Sequence, residues 1–499
     1  MRLLRHVKKV GGFLLVAAVT LFGIRDEGDA GHPIVVGFER FFTTNNVELA
    51  DGGELLLSEL RCVNCHDPGQ HAGRIPVLAG PRLADLQGRL HFDHLTEWLM
   101  RPQTMKPGTL MPHLLADSES DKDALALVSY LFSNGSSLRQ EKANGSPELG
   151  KELFHSVGCV ACHAPDKTFH PASISEENQR REVELPSVPL GDLRRKYTST
   201  GMVEFLMDPL RWHPDGRMPR IPLNREEAAD LAAYLTSGQE RHDTFRFRED
   251  LVELGRKRFA ELRCAACHSI PDQEPSFAAG RALSKLPAEP RGCLSDLPGQ
   301  GLPNYQLSPL QRRAILAALQ RLRNAAPLTA AEQVHRRLLG LNCYACHQRD
   351  GLGGPEAGRA LFFQTTGDDL EDEGRFPPGL QGVGRKLLPD ALKKVLRGEY
   401  PVRAYMSTRM PDFGDHNAAA LTEALVAADL TGDIVPTPRD NNPNLVGRSP
   451  WGRELIGING LGCINCHDLG GNKSLGIRAV DLMHAPKRLW PEWFRDYLI

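Results

Sequence analysis

Apolar residues recur at helical spacing along this chain in short runs of two kinds. The first kind is amphipathic and stands just ahead of a cysteine cluster: Gly53-Glu54-Leu55-Leu56-Leu57-Ser58-Glu59-Leu60-Arg61, Gly150-Lys151-Glu152-Leu153-Phe154, Gly255-Arg256-Lys257-Arg258-Phe259 and Gly452-Arg453-Glu454-Leu455-Ile456. Gln333 to Leu341 plays the same part without the glycine. The second kind follows later. It covers Ser118 to Phe132, with Leu125, Val128, Leu131 and Phe132 on one face, and then Leu231, Tyr234 and Leu235 behind the capping signal Asn224-Arg225-Glu226-Glu227. Ile315, Leu319 and Leu322 come after Ser308-Pro309-Leu310-Gln311, which supplies a cap, a first-turn proline and a back-bonding Gln. Leu421, Leu425 and Ala428 complete the set. The pattern predicts a mainly α protein made of repeated units with an opening and a closing helix.

Between opening and closing helices stands the chemistry. Cys-x-x-Cys-His occurs five times, at Cys62-Cys65-His66, Cys159-Cys162-His163, Cys264-Cys267-His268, Cys343-Cys346-His347 and Cys463-Cys466-His467. With 11 Cys and 18 His in 499 residues, chance would supply about 0.01 copies. The spacing is that of c-type haem attachment: two thiols add to the haem vinyl groups, and the adjacent His lies under the iron as proximal ligand. The rival is zinc held by Cys-x-x-Cys knuckles, which does not require a His after every second Cys. The first cysteines lie 97, 105, 79 and 120 residues apart, a period that fits small domains.

The opening helix, motif and closing helix together resemble the class I cytochrome c fold, so the chain looks like a multihaem c-type cytochrome of tandem small domains. The resemblance covers most of residues 50–499, and it implies five covalent haem c groups. It places the units at 33–142, 145–240, 247–326, 328–433 and 448–499, after a segment 1–30. In the family the sixth iron ligand is a Met on a loop, usually before Pro. Met111-Pro112, Met218-Pro219 and Met410-Pro411 stand 45, 55 and 63 residues after the proximal His of their units. Met105 and Met406 are rivals that precede no Pro. The third unit has Gly301-Leu302-Pro303-Asn304-Tyr305 instead, and Leu302 cannot bind iron. Its haem is expected to take water, Lys285, Tyr305 or a residue of a neighbouring unit, or to stay open. The fifth unit stops at Ile499 before any Met-Pro loop, with Met483 and His484 as early substitutes, so the chain reads as a fragment or a truncated product. Leu489-Trp490-Pro491 in it matches Leu387-Leu388-Pro389 in the fourth.

Composition narrows the function. A net charge of −2 leaves no basic footprint for nucleic acid. Ten cysteines belong to motifs, and the eleventh, Cys293, reads as a small buried hydrophobe. Arg2, Arg5, Lys8 and Lys9 precede the apolar run Val10 to Ile24. This reads as a signal peptide, short for a membrane span of about 20 residues. Gly28-Asp29-Ala30 lies past the run, so an uncleaved anchor remains open. The expected location is the periplasm or the outer face of the cytoplasmic membrane. The loops 134–147 and 436–450 read as linkers, 177–184 as a solvated loop, and Gly351-Leu352-Gly353-Gly354 as a turn over a haem edge. No nucleophile triad, phosphate loop or dinucleotide fingerprint is found. The expectation is a non-enzymatic carrier of single electrons. Its donor would be a dehydrogenase or quinol oxidiser, and its acceptor a terminal oxidase or small cytochrome. A peroxidase-like oxidoreductase with an open third haem, or the electron-transfer part of a longer enzyme, is the alternative.

Overall fold

The structure, a computed structural model, describes residues 31–43, 49–115, 120–134, 138, 144–171, 185–238, 245–271, 274–276, 280–299, 301–366, 371–399, 403, 405–430, 450–476 and 479–499. The leader-like segment 1–30, the charged stretch 177–184 and most of both predicted linkers lie outside the described residues. Among the described residues, no helix is long and apolar enough to cross a membrane. Among these residues the fold is mainly α, with one small antiparallel hairpin, Gln348–Arg349 with Leu352–Gly353, whose turn is the Gly351 segment.

The framing helices are α1 (Leu49–Glu59), α2 (Ser120–Ser133), α3 (Pro147–Ser156), α4 (Arg225–Leu235), α5 (Val252–Glu261), α6 (Pro309–Arg321), α7 (Ala330–Gly340), α8 (Asp415–Asp429) and α9 (Pro450–Ile456). Odd numbers open a unit and even numbers close one. The capping boxes predicted at Asn224/Glu227 and Ser308/Gln311 are both formed. Thr329 and Glu332 make a third at the start of α7.

Helix pairing departs from chain order in one place. α3 packs on α4 and α7 on α8, each inside its own unit. α1, however, packs on α6, and α5 packs on α2. The first and third units, expected as the self-contained ranges 33–142 and 247–326, have therefore exchanged their closing helices. The crossings are nonetheless the same. A Cβ at Gly150 would lie 2.0 Å from the Asp230 carbonyl oxygen, one at Gly255 2.0 Å from that of Ala126, and one at Gly53 1.9 Å from that of Ala314. Only glycine lets the backbones approach so closely. Four residues on, Phe154 meets Tyr234 with ring centroids 5.7 Å apart, and Phe259 meets Tyr130 at the same 5.7 Å. Packing recognises matching surfaces and not chain position.

Two large apolar clusters result. One joins α1 and α6 to the fourth unit through Leu55, Leu56, Ile315, Leu319, Val334, Leu338 and Leu425. The other joins α2 and Phe259 to the second unit through Val128, Leu131, Phe154, Val203 and Leu231. At the first junction Glu54, with no exposed side chain, receives Arg74, Arg321 and Arg336 at 3.0, 2.7 and 2.6 Å.

Candidate haem-binding sites

All five motifs adopt one conformation. The residue before the first Cys is left-handed: Arg61 (φ 59°), Gly158 (119°), Arg263 (55°), Asn342 (54°) and Gly462 (68°). A single 3-10 turn follows, in which the His backbone N–H returns to the first Cys carbonyl at 2.9 to 3.0 Å. Arg61, Arg263 and Asn342 hold this conformation at a cost of about 1 kcal/mol each.

The proximal candidates share a second feature. Each Nδ1 donates to a backbone carbonyl, which fixes the tautomer and leaves Nε2 bare for a metal. His163 donates to Val188 (2.9 Å), His347 to Pro378 (2.7 Å) and His467 to Val480 (2.8 Å), all within their own units. His66 donates instead to Arg281 (3.1 Å), and His268 to Pro81 (2.7 Å). The exchange seen in the helices is repeated here. The chain crosses over directly after each motif, with His66 bridged to Gly280 and the Gly80 N–H bound to the Cys267 carbonyl at 2.7 Å.

The methionine loops sit at equivalent places. Two residues past Met218 and Met410, Arg220 and Asp412 form an antiparallel bridge. Two residues past Met111 and Leu302, His113 and Asn304 form the same bridge. Leu302 thus stands where the other units have Met, and it is 40% exposed. The Met111 sulfur accepts from Trp98 Nε1 at 2.9 Å. Met218 packs on the second unit's cluster and Met410 on the fourth's. Of the rivals, Met105 ends a four-residue helical turn and Met406 lies in a bridge to Thr365. In the fifth unit Met483 is 54% exposed.

The motifs also touch in pairs. Asn64 Nδ2, inside the first motif, donates to the Ala266 carbonyl at 3.0 Å and lies 3.6 Å from Cys267 Sγ of the third. Asn342 Nδ2, before the fourth, lies 3.2 Å from Cys162 Sγ of the second. A different contact joins the third site's unit to the second, at Leu90 and Tyr197, and the fourth to the fifth, at Leu387 and Leu489. The last pair belongs to the two segments whose sequences match. Sequence reasoning did not find these contacts. Asn64 and Asn342 carry no local signal of them.

The residues fit haem. Burial pushes the thiols of Cys62, Cys159, Cys264 and Cys343 up to about 12. Among the described residues no three His, Cys, Asp or Glu side chains converge as a metal cage. Near His163 and His213, burial lowers Lys106 to about 7 and Lys196 to about 8. Neither lysine has a carboxylate partner among the described residues, and haem propionates would supply one. Cys293, expected to be a buried hydrophobe, is only half-buried and within electrostatic reach of Cys65.

Fold and motif thus define a mainly α protein, parts of which have c-type cytochrome character. Two particular proteins to which it is similar follow. Over 46 residues (9% of this chain) it is 44% identical to the cbb3-type cytochrome c oxidase subunit CcoP of Helicobacter pylori, of whose length it covers 16%. Over 113 residues (23% of this chain) it is 29% identical to cytochrome c-552 of Bradyrhizobium diazoefficiens, of which it covers 90%. No family model and no solved structure matches the chain.

Proposed function

We propose that the chain is an exported multihaem c-type cytochrome that carries single electrons between redox partners through five covalent haems. Cys62/Cys65, Cys159/Cys162, Cys264/Cys267, Cys343/Cys346 and Cys463/Cys466 would hold them, with His66, His163, His268, His347 and His467 as proximal ligands and Met111, Met218 and Met410 as distal ones. Bound haem supplies a one-electron couple, and thioether ligation raises its potential. The observation that carries the reading is the direct contact of attachment motifs in pairs. Electron tunnelling weakens steeply with distance, so touching sites favour transfer. The motif contacts join the first site to the third and the second to the fourth, and we take these as steps of the electron path. A dehydrogenase or quinol oxidiser would be the donor. The likeness to a subunit of a cytochrome c oxidase favours a terminal oxidase or small cytochrome as acceptor. The basic, then apolar, N-terminal segment favours a periplasmic place or an anchor on the outer face of the membrane.

The test is expression with export and cytochrome c maturation, followed by a haem count on the purified chain. Five haems per chain are expected. A chain without covalent haem would end the proposal.

A further inference from the structure

We propose that Met111 is the sixth ligand of the third haem, held by His268, and that the haem without a methionine is the first, held by His66 opposite Leu302. This rests on the haem reading above and reverses what chain order implies for both sites.

Three sets of contacts carry it. The first is helix pairing. Met111 runs within nine residues into α2, and α2 packs on α5, which leads into Cys264. Leu302 runs within seven residues into α6, and α6 packs on α1, which leads into Cys62. Such short spacers tie each loop to the motif that its closing helix covers. The second is the orienting bond of each imidazole. Pro81 holds His268 and begins the segment that carries Met111, while Arg281 holds His66 and begins the segment that carries Leu302. The third is the loop itself. Tyr305, three residues past Leu302, donates its hydroxyl to the Leu60 carbonyl at 2.7 Å, two residues before Cys62.

Two other donors are placed elsewhere: the Tyr305 hydroxyl is engaged at Leu60, and Lys285 is exposed on a single turn, Leu283–Lys285. With Leu302 in the methionine's place, the proposal gives the first site an open position suited to a small neutral diatomic ligand. Its motif touches that of the third site.

The test uses the full exported chain carrying Cys463→Ser and Cys466→Ser, so that the fifth site does not contribute. Carbon monoxide is titrated into the reduced protein. One haem per chain is expected to bind. Adding Cys62→Ser and Cys65→Ser should abolish binding, and adding Cys264→Ser and Cys267→Ser should leave it intact while removing one thioether–iron charge-transfer band. The reverse pattern overturns the proposal.

A second measurement needs no haem removed. Asp123 on α2 pairs with Arg258 on α5 at 3.0 Å. In an Arg258→Lys chain, a carbodiimide should join the new amine to Asp123 as an amide, with loss of water, and peptide mass mapping should find it. A haem-loaded chain without that cross-link overturns the exchange. Cross-linked chain without haem would instead overturn the haem reading and leave the exchange standing.

Discussion

The second and fourth units and the first and third units are two solutions to one problem. In each pair two Cys-x-x-Cys-His motifs touch, and the two Met-Pro or Leu-Pro loops lie antiparallel, bridged two residues past the Met or Leu. In the second and fourth units each motif keeps its own closing helix. In the first and third, the closing halves are traded, so that His66 is oriented by Arg281 and His268 by Pro81. The Gly150 and Gly255 crossings agree to the carbonyl contact and the ring pair, although one is within a unit and the other between two. A fold built from interchangeable local modules is specified by surfaces, and connectivity is settled only by which halves meet.

The comparison can be broken most forcefully at Glu54. It is buried among Arg74 from its own side, Arg321 of α6 and Arg336 of α7. Glu54→Ala leaves guanidinium groups buried without their charge partner, a loss of about 3–5 kcal/mol. Hydrogen exchange should find α1 and α6 opening together, although more than two hundred residues separate them in the chain. Opening of α1 with α2 instead would contradict the exchange.

A smaller effect is expected at the glycine crossings. Gly255→Ala drives a Cβ into the Ala126 carbonyl and should cost about 1–3 kcal/mol, as overpacking does. Protection should fall in α2 and α5. Gly150→Ala should cost a similar amount and loosen α3 with α4. Loss of protection in α6 from Gly255→Ala would refute the pairing.

The smallest effect sharpens the unexchanged pair. Arg409, beside Met410, makes two hydrogen bonds of 2.6 and 2.8 Å to Glu227 at the start of α4. The pair is partly exposed, so Arg409→Ala should cost about 1 kcal/mol or less, and less in high salt. The Arg409 guanidinium holds the Glu227 carboxyl below its ordinary value of 4.5. A depressed carboxylate stabilises the fold above its unfolded value and stops doing so as pH falls through the folded one. Wild type and Arg409→Ala should therefore differ in urea midpoint at pH 7 and converge as the pH falls below 4.5.

Much of this protein was legible from local pattern. The opening glycines, the caps at Asn224 and Ser308, the closing helices and the motif turns all follow from residues within a dozen positions of one another, because helices and 3-10 turns are made of short-range hydrogen bonds. The equivalence of Leu302 with the methionines was legible for the same reason. The touching of Asn64 with Cys267 and of Asn342 with Cys162 was not, since an asparagine near a motif announces no partner.

The sequence by itself determined five Cys-x-x-Cys-His motifs, the helices that frame them and the absence of a methionine at Leu302. Only the tertiary structure decided which motif meets that leucine. Each half-unit carries its own glycine, ring or leucine and matching groove, and nothing in those surfaces records the order in which the chain presents them. The choice between neighbours and distant partners lies in long-range packing, where Glu54, Arg321 and Arg336 meet from three separate parts of the chain.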